Sequence, residues 1–268
     1  MICNLTDRAL LKLSGTDAES FLQAQLSNDI TKLDDNSVQL SAYCQHQGKI
    51  LALFWVMRDG DDFLLSFPRD LAEAILPRLK MFVLMSDVAI EDITSEYVQI
   101  GHIDIAKDGA YLINRRLSVE IIKSVDANNI EFSTQEEWTH ACIETALAEV
   151  VHATAEKLVP QMLNLDIDEI GVNFSKGCYP GQEVVARLHY LGKAKRRMFG
   201  FKSNESLSVG DNLYCESSKS AKASGIVVSQ VKYEAEFYCL ATLEVVHKDD
   251  LITLNGVDGA TLTRIENE

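Results

Sequence analysis

A chain of 268 residues is too long for one small module, and a hydrophobic content of 47% with only four prolines supplies a sizeable core. The longest apolar run, Ile50 to Met57, has eight residues, far short of the roughly 20 needed to span a bilayer. Met1 to Leu13 carries Asp7 and Arg8 and no small-residue cleavage site, so a cytoplasmic location and no membrane partner are expected.

In chain order, Arg8 to Leu13 reads as a short strand. Thr16 and Glu19 have the spacing of a capping box that opens a helix through about Leu26. Ser37 to Tyr43 and Lys49 to Met57 read as strands, with Arg58-Asp59-Gly60 as a hairpin turn and Phe63 to Phe67 returning. Arg69 to about Phe82 has helical periodicity, with a kink expected at Pro77. Short strands follow near Val88, Val98, Tyr111 and Val119. Thr134 and Glu137 form a second capping-box pattern, and Trp138, Cys142, Ala146 and Val150 continue it at helical spacing. Pro180 suits the first position of a further helix reaching about Tyr190.

After about Gly192 the helical period is lost. Short β-rich runs alternate with Gly, Asn and Ser turns: Arg197 to Phe201, Asn212 to Cys215, Ser224 to Val231, Phe237 to Val246, and Leu251 to Ile265. The expected fold class is α+β, with residues 1–192 as two sub-domains that break near 95–130, and residues 193–268 as a C-terminal antiparallel β-barrel.

Six cysteines stand at 3, 44, 142, 178, 215 and 239. No two form a CxxC pair, which argues against a zinc site and a compact disulfide framework; no metal site is expected. The net charge of −15 argues against nucleic-acid binding through the average field. Ala186 to Lys202 breaks the trend, with Arg187, Lys193, Lys195, Arg196, Arg197 and Lys202 and no acid. That strip is either a solvated strand face with basic tips or a contact for an extended polyanion.

The stretch FSKGCYPGQEVVAR, Phe174 to Arg187, sets Cys178 two residues after Lys176 and five before Glu183. A nearby cation and a helix N-terminus favour a thiolate, and Glu183 opposes it. The alternative is a tight Gly-Cys-Tyr-Pro-Gly turn with a buried thiol.

KGCYPGQE, Lys176 to Glu183, resembles the signature of the YgfZ family of folate-binding proteins, in which the proline position varies. VPQMLNLD, Val159 to Asp166, is similar to that family's I-P-Q-x-x-N-L stretch, and Glu183 to Arg197 to its E-x-V-A-R-x-x-x-x-G-x-x-K-R continuation. GTDAESFLQAQLSNDITKL and YCQHQGKIL, near the start, resemble two further family stretches. The resemblance touches most of the chain, apart from a short middle segment, about 104–129.

The resemblance implies a GcvT-like (T-protein aminomethyltransferase) fold of three sub-domains around a tetrahydrofolate site. Cys178 and Lys176 are its expected functional pair. Trp138 matches a tryptophan of the folate pocket, and Glu144 the glutamate that holds the pterin edge. Tyr179, Gln182 and Arg187 join them as candidate folate contacts, the cations suiting a polyglutamate tail. On one helix Trp138 and Glu144 lie about 120° apart. From the residues alone Trp138 also reads as core and Glu144 as a solvated helix residue, although its neighbours make it a lone carboxylate in apolar company.

Two departures stand out. Arg8 is near a position where bacterial members often carry a tryptophan. Leu53 stands where active aminomethyltransferases carry the aspartate that acts on folate. The expectation is therefore a folate-binding accessory protein, leaning away from enzyme, that supports iron–sulfur proteins or their assembly factors and, through them, tRNA modification. The alternatives are a folate-dependent one-carbon transferase with Cys178 as nucleophile and an RNA-binding barrel protein; the charge argues against direct tRNA binding.

Overall fold

The structure is a computed structural model and describes residues 1–218 and 222–267. The strands before the third helix are β1 (Ile2–Asn4), β2 (Arg8–Ser14), β3 (Gln39–Cys44), β4 (Ile50–Asp59), β5 (Asp62–Pro68), β6 (Ala89–Asp92), β7 (Tyr97–Ile103), β8 (Tyr111–Leu112) and β9 (Leu117–Lys123). The helices are α1 (Ala18–Gln25), α2 (Ala72–Met81), α3 (Gln135–Glu144) and α4 (Gln182–Leu191). The remaining strands are β10 (Arg196–Ser203), β11 (Asn212–Cys215), β12 (Gly225–Tyr233), β13 (Glu236–Glu244), β14 (Ile252–Leu254) and β15 (Thr261–Ile265).

Three bodies result. One is a five-stranded sheet ordered β3-β4-β5-β2-β6, the second a four-stranded sheet ordered β1-β7-β9-β8, and the third a closed antiparallel barrel ordered β10-β13-β12-β11-β14-β15. β4 is buried at every residue from Ile50 to Met57, because both of its faces are covered. Phe54 and Val56 pack with Phe21 and Leu22 of α1 and Ile75 and Leu79 of α2. Trp55 and Met57 face Trp138, Ala141 and Cys142 of α3 and Val119 of β9. Full burial on both sides explains the unbroken apolar run.

The mixed α+β architecture and the terminal barrel are as the sequence indicates, with local differences. The run Leu251 to Ile265 is two strands, β14 and β15, separated by a turn with Asn255 at φ 57°. β1 is unanticipated; three residues carry no pattern. The box at Thr16 does not form: the Thr16 hydroxyl donates to Asp87 Oδ2 at 2.9 Å, and Asp17 is the N-cap. The box at Thr134 does form, with Thr134 accepting from the Glu137 N–H. α3 nevertheless stops at Glu144 instead of continuing to Val150. Ala146 turns left-handed at φ 53°, Leu147 N–H donates to the Cys142 carbonyl at 2.8 Å, and Asn267 Nδ2 donates to the Ile143 carbonyl at 2.6 Å. Helix-end carbonyls are thereby satisfied without a further turn. α4 begins at Gln182, two residues after Pro180, with Gly181 as N-cap at φ 82°.

β7 and α3 touch where Gly101 faces Trp138; a methyl at Gly101 would lie 2.5 Å from the indole ring. Gly101→Ala is therefore expected to destabilise the chain by about 1–3 kcal/mol through overpacking, measured as a shift in the urea midpoint with an unchanged slope.

Candidate functional site

The stretches that share the family resemblance converge in space. The turn at Gln45 to Gly48 and the loop before α4 meet backbone to backbone: a methyl on Gly181 would sit 2.5 Å from the Gln45 carbonyl oxygen and 2.7 Å from the Gly48 Cα. Glycine is required at Gly181 both for this approach and for its positive φ. Ser27 ties three segments together, donating to the Gly171 carbonyl at 2.6 Å while its oxygens accept from the Ala42 and Asn173 N–H groups. Gln161, 1% exposed, donates to the Val185 carbonyl of α4 at 2.7 Å. Asn164 donates to the Met198 carbonyl at 2.9 Å, and Asp166 pairs with Arg197, so the same stretch also holds the first barrel strand.

Lys176 is the centre of this hub. It is 8% exposed, and its three N–H bonds go to the carbonyl oxygens of Gln23 at 2.7 Å, Asn28 at 2.8 Å and Leu26. An ammonium has three donors, so none remains for the Cys178 sulfur. The expected Lys176–Cys178 pair is thus an anchor and the loop it anchors. Burial pushes the Lys176 ammonium down to about 8. Its nitrogen also lies 5.4 Å from the Tyr179 ring centre, and burial pushes the Tyr179 hydroxyl above its usual range.

Cys178 is exposed; the buried thiol of the tight-turn alternative is not what the structure holds. The other five cysteines are buried and free. Burial raises Cys44 and Cys239 to about 12 and Cys3 to about 11 and holds Cys142 higher still. Gln182 opens α4 and reaches back to the Gly177 carbonyl at 3.5 Å. Arg187, one turn on, is exposed. Phe174 stacks on His189 at 3.7 Å, fixing the far end of α4 to the start of the loop.

Trp138 and Glu144 lie elsewhere, on α3. Trp138 is 3% exposed and meets Trp55 edge-on at 6.2 Å. Glu144 is not a lone carboxylate: Arg116 Nη1 donates to it at 3.1 Å, and His140 Nδ1 lies 3.6 Å away. All three bodies meet beside Trp138, in a cavity of about 20 Å³ lined by Arg8, Gln135, Trp138, Leu147, Glu149 and Ser229. Arg8 fills this centre. Its guanidinium lies 3.5 Å from the Trp55 ring centre, Nε donates to Ser66 at 2.7 Å, and Nη1 pairs with Glu149. Burial holds Arg8 down to about 10. Its Nη2 and the Gln135 Oε1 are buried and meet no hydrogen-bond partner among the described residues. The polar groups and indoles suit a heteroaromatic ligand, but a space that holds one water does not fit a pterin. The sequence marked Arg8 as a departure; Glu149, which completes the centre, lies in the stretch read as the continuation of the third helix, and only the left-handed turn at Ala146 brings it to Arg8.

The basic strip is partly neutralised. Arg196 pairs with Glu244, Arg197 with Asp166, and Lys202 with Glu236. Arg187, Lys193 and Lys195 are exposed, beside exposed Tyr190 and Leu191.

This architecture is that of the aminomethyltransferase T-protein. The chain superposes on glycine cleavage system aminomethyltransferase T from Bartonella henselae with a TM-score of 0.74, covering 99% of this chain and 84% of that one at 12% identity. A Haemophilus influenzae protein of unassigned function is 30% identical over 256 residues, 92% of this chain and 89% of the relative. The Escherichia coli tRNA-modifying protein YgfZ is 25% identical over 268 residues, 87% of this chain and 82% of its own length. No family model matches. The chain belongs to the YgfZ family.

Lys176→Met removes a buried cation from three carbonyls and is expected to cost about 3 kcal/mol. Its pH dependence has a definite sign. The folded pKa of about 8 lies below the usual 10.5, so between them the unfolded chain binds more protons and the lysine's contribution to stability rises with pH. Denaturant titrations at pH 7 and 9.5 are expected to show a larger gap between wild type and Lys176→Met at the higher pH.

Proposed function

We propose that the chain is a YgfZ-type accessory protein that supports iron–sulfur enzymes of tRNA modification, with Cys178 as its working thiol. The observation that carries this reading is the contrast among the cysteines. Five are buried, while Cys178 alone is exposed, on a loop fixed by the buried Lys176 and by the close approach of Gly181 and Gly48. Thiol chemistry needs access, and a rigid loop presents the sulfur at a constant position. The adjoining face of α4 combines exposed Val184, Tyr190 and Leu191 with Arg187. A groove of about 390 Å³ lies on this face, lined by Glu183, Val184, Arg187 and Leu191, and one of about 380 Å³ lies between the end of α4 and Gln161 and Met162, a surface suited to a protein partner.

Tetrahydrofolate binding is proposed as part of the same role. Its support is family membership, the paired indoles of Trp55 and Trp138, and the buried Gln135 Oε1, which meets no partner among the described residues. It requires the Arg8–Glu149 pair to part, since the centre as formed excludes a pterin. A true transferase is the weaker reading: Leu53, at the position of the transferase aspartate, is 2% exposed in an apolar cluster.

In a strain lacking the protein, Cys178→Ser is expected to leave iron–sulfur-dependent tRNA modification at the deletion level while thermal stability stays at the wild-type value. Full modification by that variant would remove the thiol from the function. Anaerobic calorimetry with tetrahydrofolate is expected to show saturable micromolar binding that strengthens in Arg8→Ala, because the clasp that competes for the centre is gone. Heat of dilution alone for both proteins would leave the Cys178 loop to act without folate.

A further inference from the structure

At one rim of the barrel, far in sequence from the stretches that meet around Lys176, four polar side chains converge. Cys215 ends β11 and is 4% exposed. Ser217 follows it. His247 lies in the short helical turn Val245–His247 after β13, and Asp250 three residues further on. The Cys215 sulfur is 3.2 Å from Asp250 Oδ2 and 3.0 Å from Ser217 Oγ. His247 Nδ1 is 2.9 Å from the same Asp250 oxygen and 3.0 Å from Ser217 Oγ, and Ser217 also bonds Asp250 Oδ2. Sulfur, imidazole nitrogen and carboxylate oxygen lie within 4.8 Å of one another.

The convergence is unusual in its stoichiometry. A carboxylate oxygen offers about two lone-pair sites, and a thiol and a hydroxyl already donate to Asp250 Oδ2, with an imidazole nitrogen at 2.9 Å from the same atom. A single cation at the centre replaces these competing protons and uses every donor atom. Around a tetrahedral zinc with bonds of about 2.0–2.3 Å, ligand atoms stand roughly 3.3–3.7 Å apart. The Cys215 Sγ–Asp250 Oδ2 and His247 Nδ1–Asp250 Oδ2 separations, 3.2 and 2.9 Å, lie within a few tenths of an ångström of that range, so side-chain adjustments bring these ligand atoms onto one ion. On the other side of the ring, Glu244 Oε2 lies 3.9 Å from His247 Nε2, beyond hydrogen-bond distance and within a small side-chain shift of the position that outer carboxylates take at zinc sites. The ligands are anchored by the barrel: Cys215 pairs with Ile252 in the β11–β14 ladder, two residues beyond Asp250.

We propose that Cys215, His247 and Asp250 form a zinc site, with the fourth position taken by Ser217 or water. One thiolate and one imidazole select a borderline-soft divalent ion over magnesium or calcium. Binding releases the thiol proton and clips the end of β11 to the β13–β14 connection. This reading is independent of the Cys178 thiol and of folate.

The test uses the full chain, stripped with a chelator and kept reduced with a non-thiol reductant, titrated anaerobically with cobalt(II) as a spectroscopic probe and then with zinc. One equivalent of cobalt is expected to give tetrahedral visible bands and a thiolate-to-cobalt band in the near ultraviolet. Zinc should abolish both and raise the melting temperature. Cys215→Ser should lose the thiolate band, and His247→Ala, at a more accessible position, should weaken binding by more than the ~10- to 100-fold typical of an outer partner. A Cys178→Ser control should keep the full spectrum. No saturable cobalt signal, or a thiolate band that survives Cys215→Ser or vanishes with Cys178→Ser, would overturn the proposal.

Discussion

The buried ammonium of Lys176 is the contact on which the rest of the site depends. α1 ends at Gln25 with no basic residue in its last turn, yet the C-terminal end of a helix carries unsatisfied carbonyls and partial negative charge. Lys176 supplies the missing cation from about 150 residues away, binding Gln23, Leu26 and Asn28 together. Burying a lysine is costly unless its donors are all used, and here they are. The arrangement is therefore all-or-none: the loop of Cys178 is either docked on the end of α1 or exposes three carbonyls and a lost cation. That is how an exposed cysteine can sit in a fixed place.

A second constraint acts at the junction of the three bodies. In the related fold this is where the resemblance puts a ligand; here it holds Arg8, flat against Trp55 and paired with Glu149. A guanidinium stacked on an indole mimics part of what a flat heterocycle would do there, offering a planar cation where a planar ring would lie. Its partner Glu149 is one-quarter exposed at the side chain, so the pair is open to water on one side. Parting it leaves the buried Arg8 guanidinium without its carboxylate, a cost that an incoming ligand has to offset.

What the sequence made legible divides by the range of the interaction. Thr134 and Glu137 are coupled only to each other and to the local backbone, and their box forms as spaced. Thr16 and Glu19 have the same spacing, but Asp87, about 70 residues away, takes the Thr16 hydroxyl; no local pattern contains that competitor. Ala146 ends α3 in a conformation costly for alanine, because Asn267 and the Leu147 N–H take up the helix-end carbonyls. The family resemblance located the Cys178 loop and the surrounding stretches, but spacing alone suggested that Lys176 served the thiol. Only the fold shows the lysine turned inward. Likewise no spacing rule links Cys215 to His247 and Asp250, which strand pairing brings to one rim.

The two regions are joined by packing. Ile143 and Ala148, around the end of α3, belong to the same apolar cluster as Cys44, Val185 of α4, and Met198, Val228 and Leu240 of the barrel. Leu147 and Glu149, in the segment just after α3, line the centre that Arg8 fills. Interiors packed to this density move as units and transmit displacement. The path from there to α4 runs through side chains in direct contact, and α4 carries the exposed face beside Cys178. The segment after α3 and the helix that follows the Cys178 loop thus share one packed cluster, with Lys176 anchoring that loop to the end of α1.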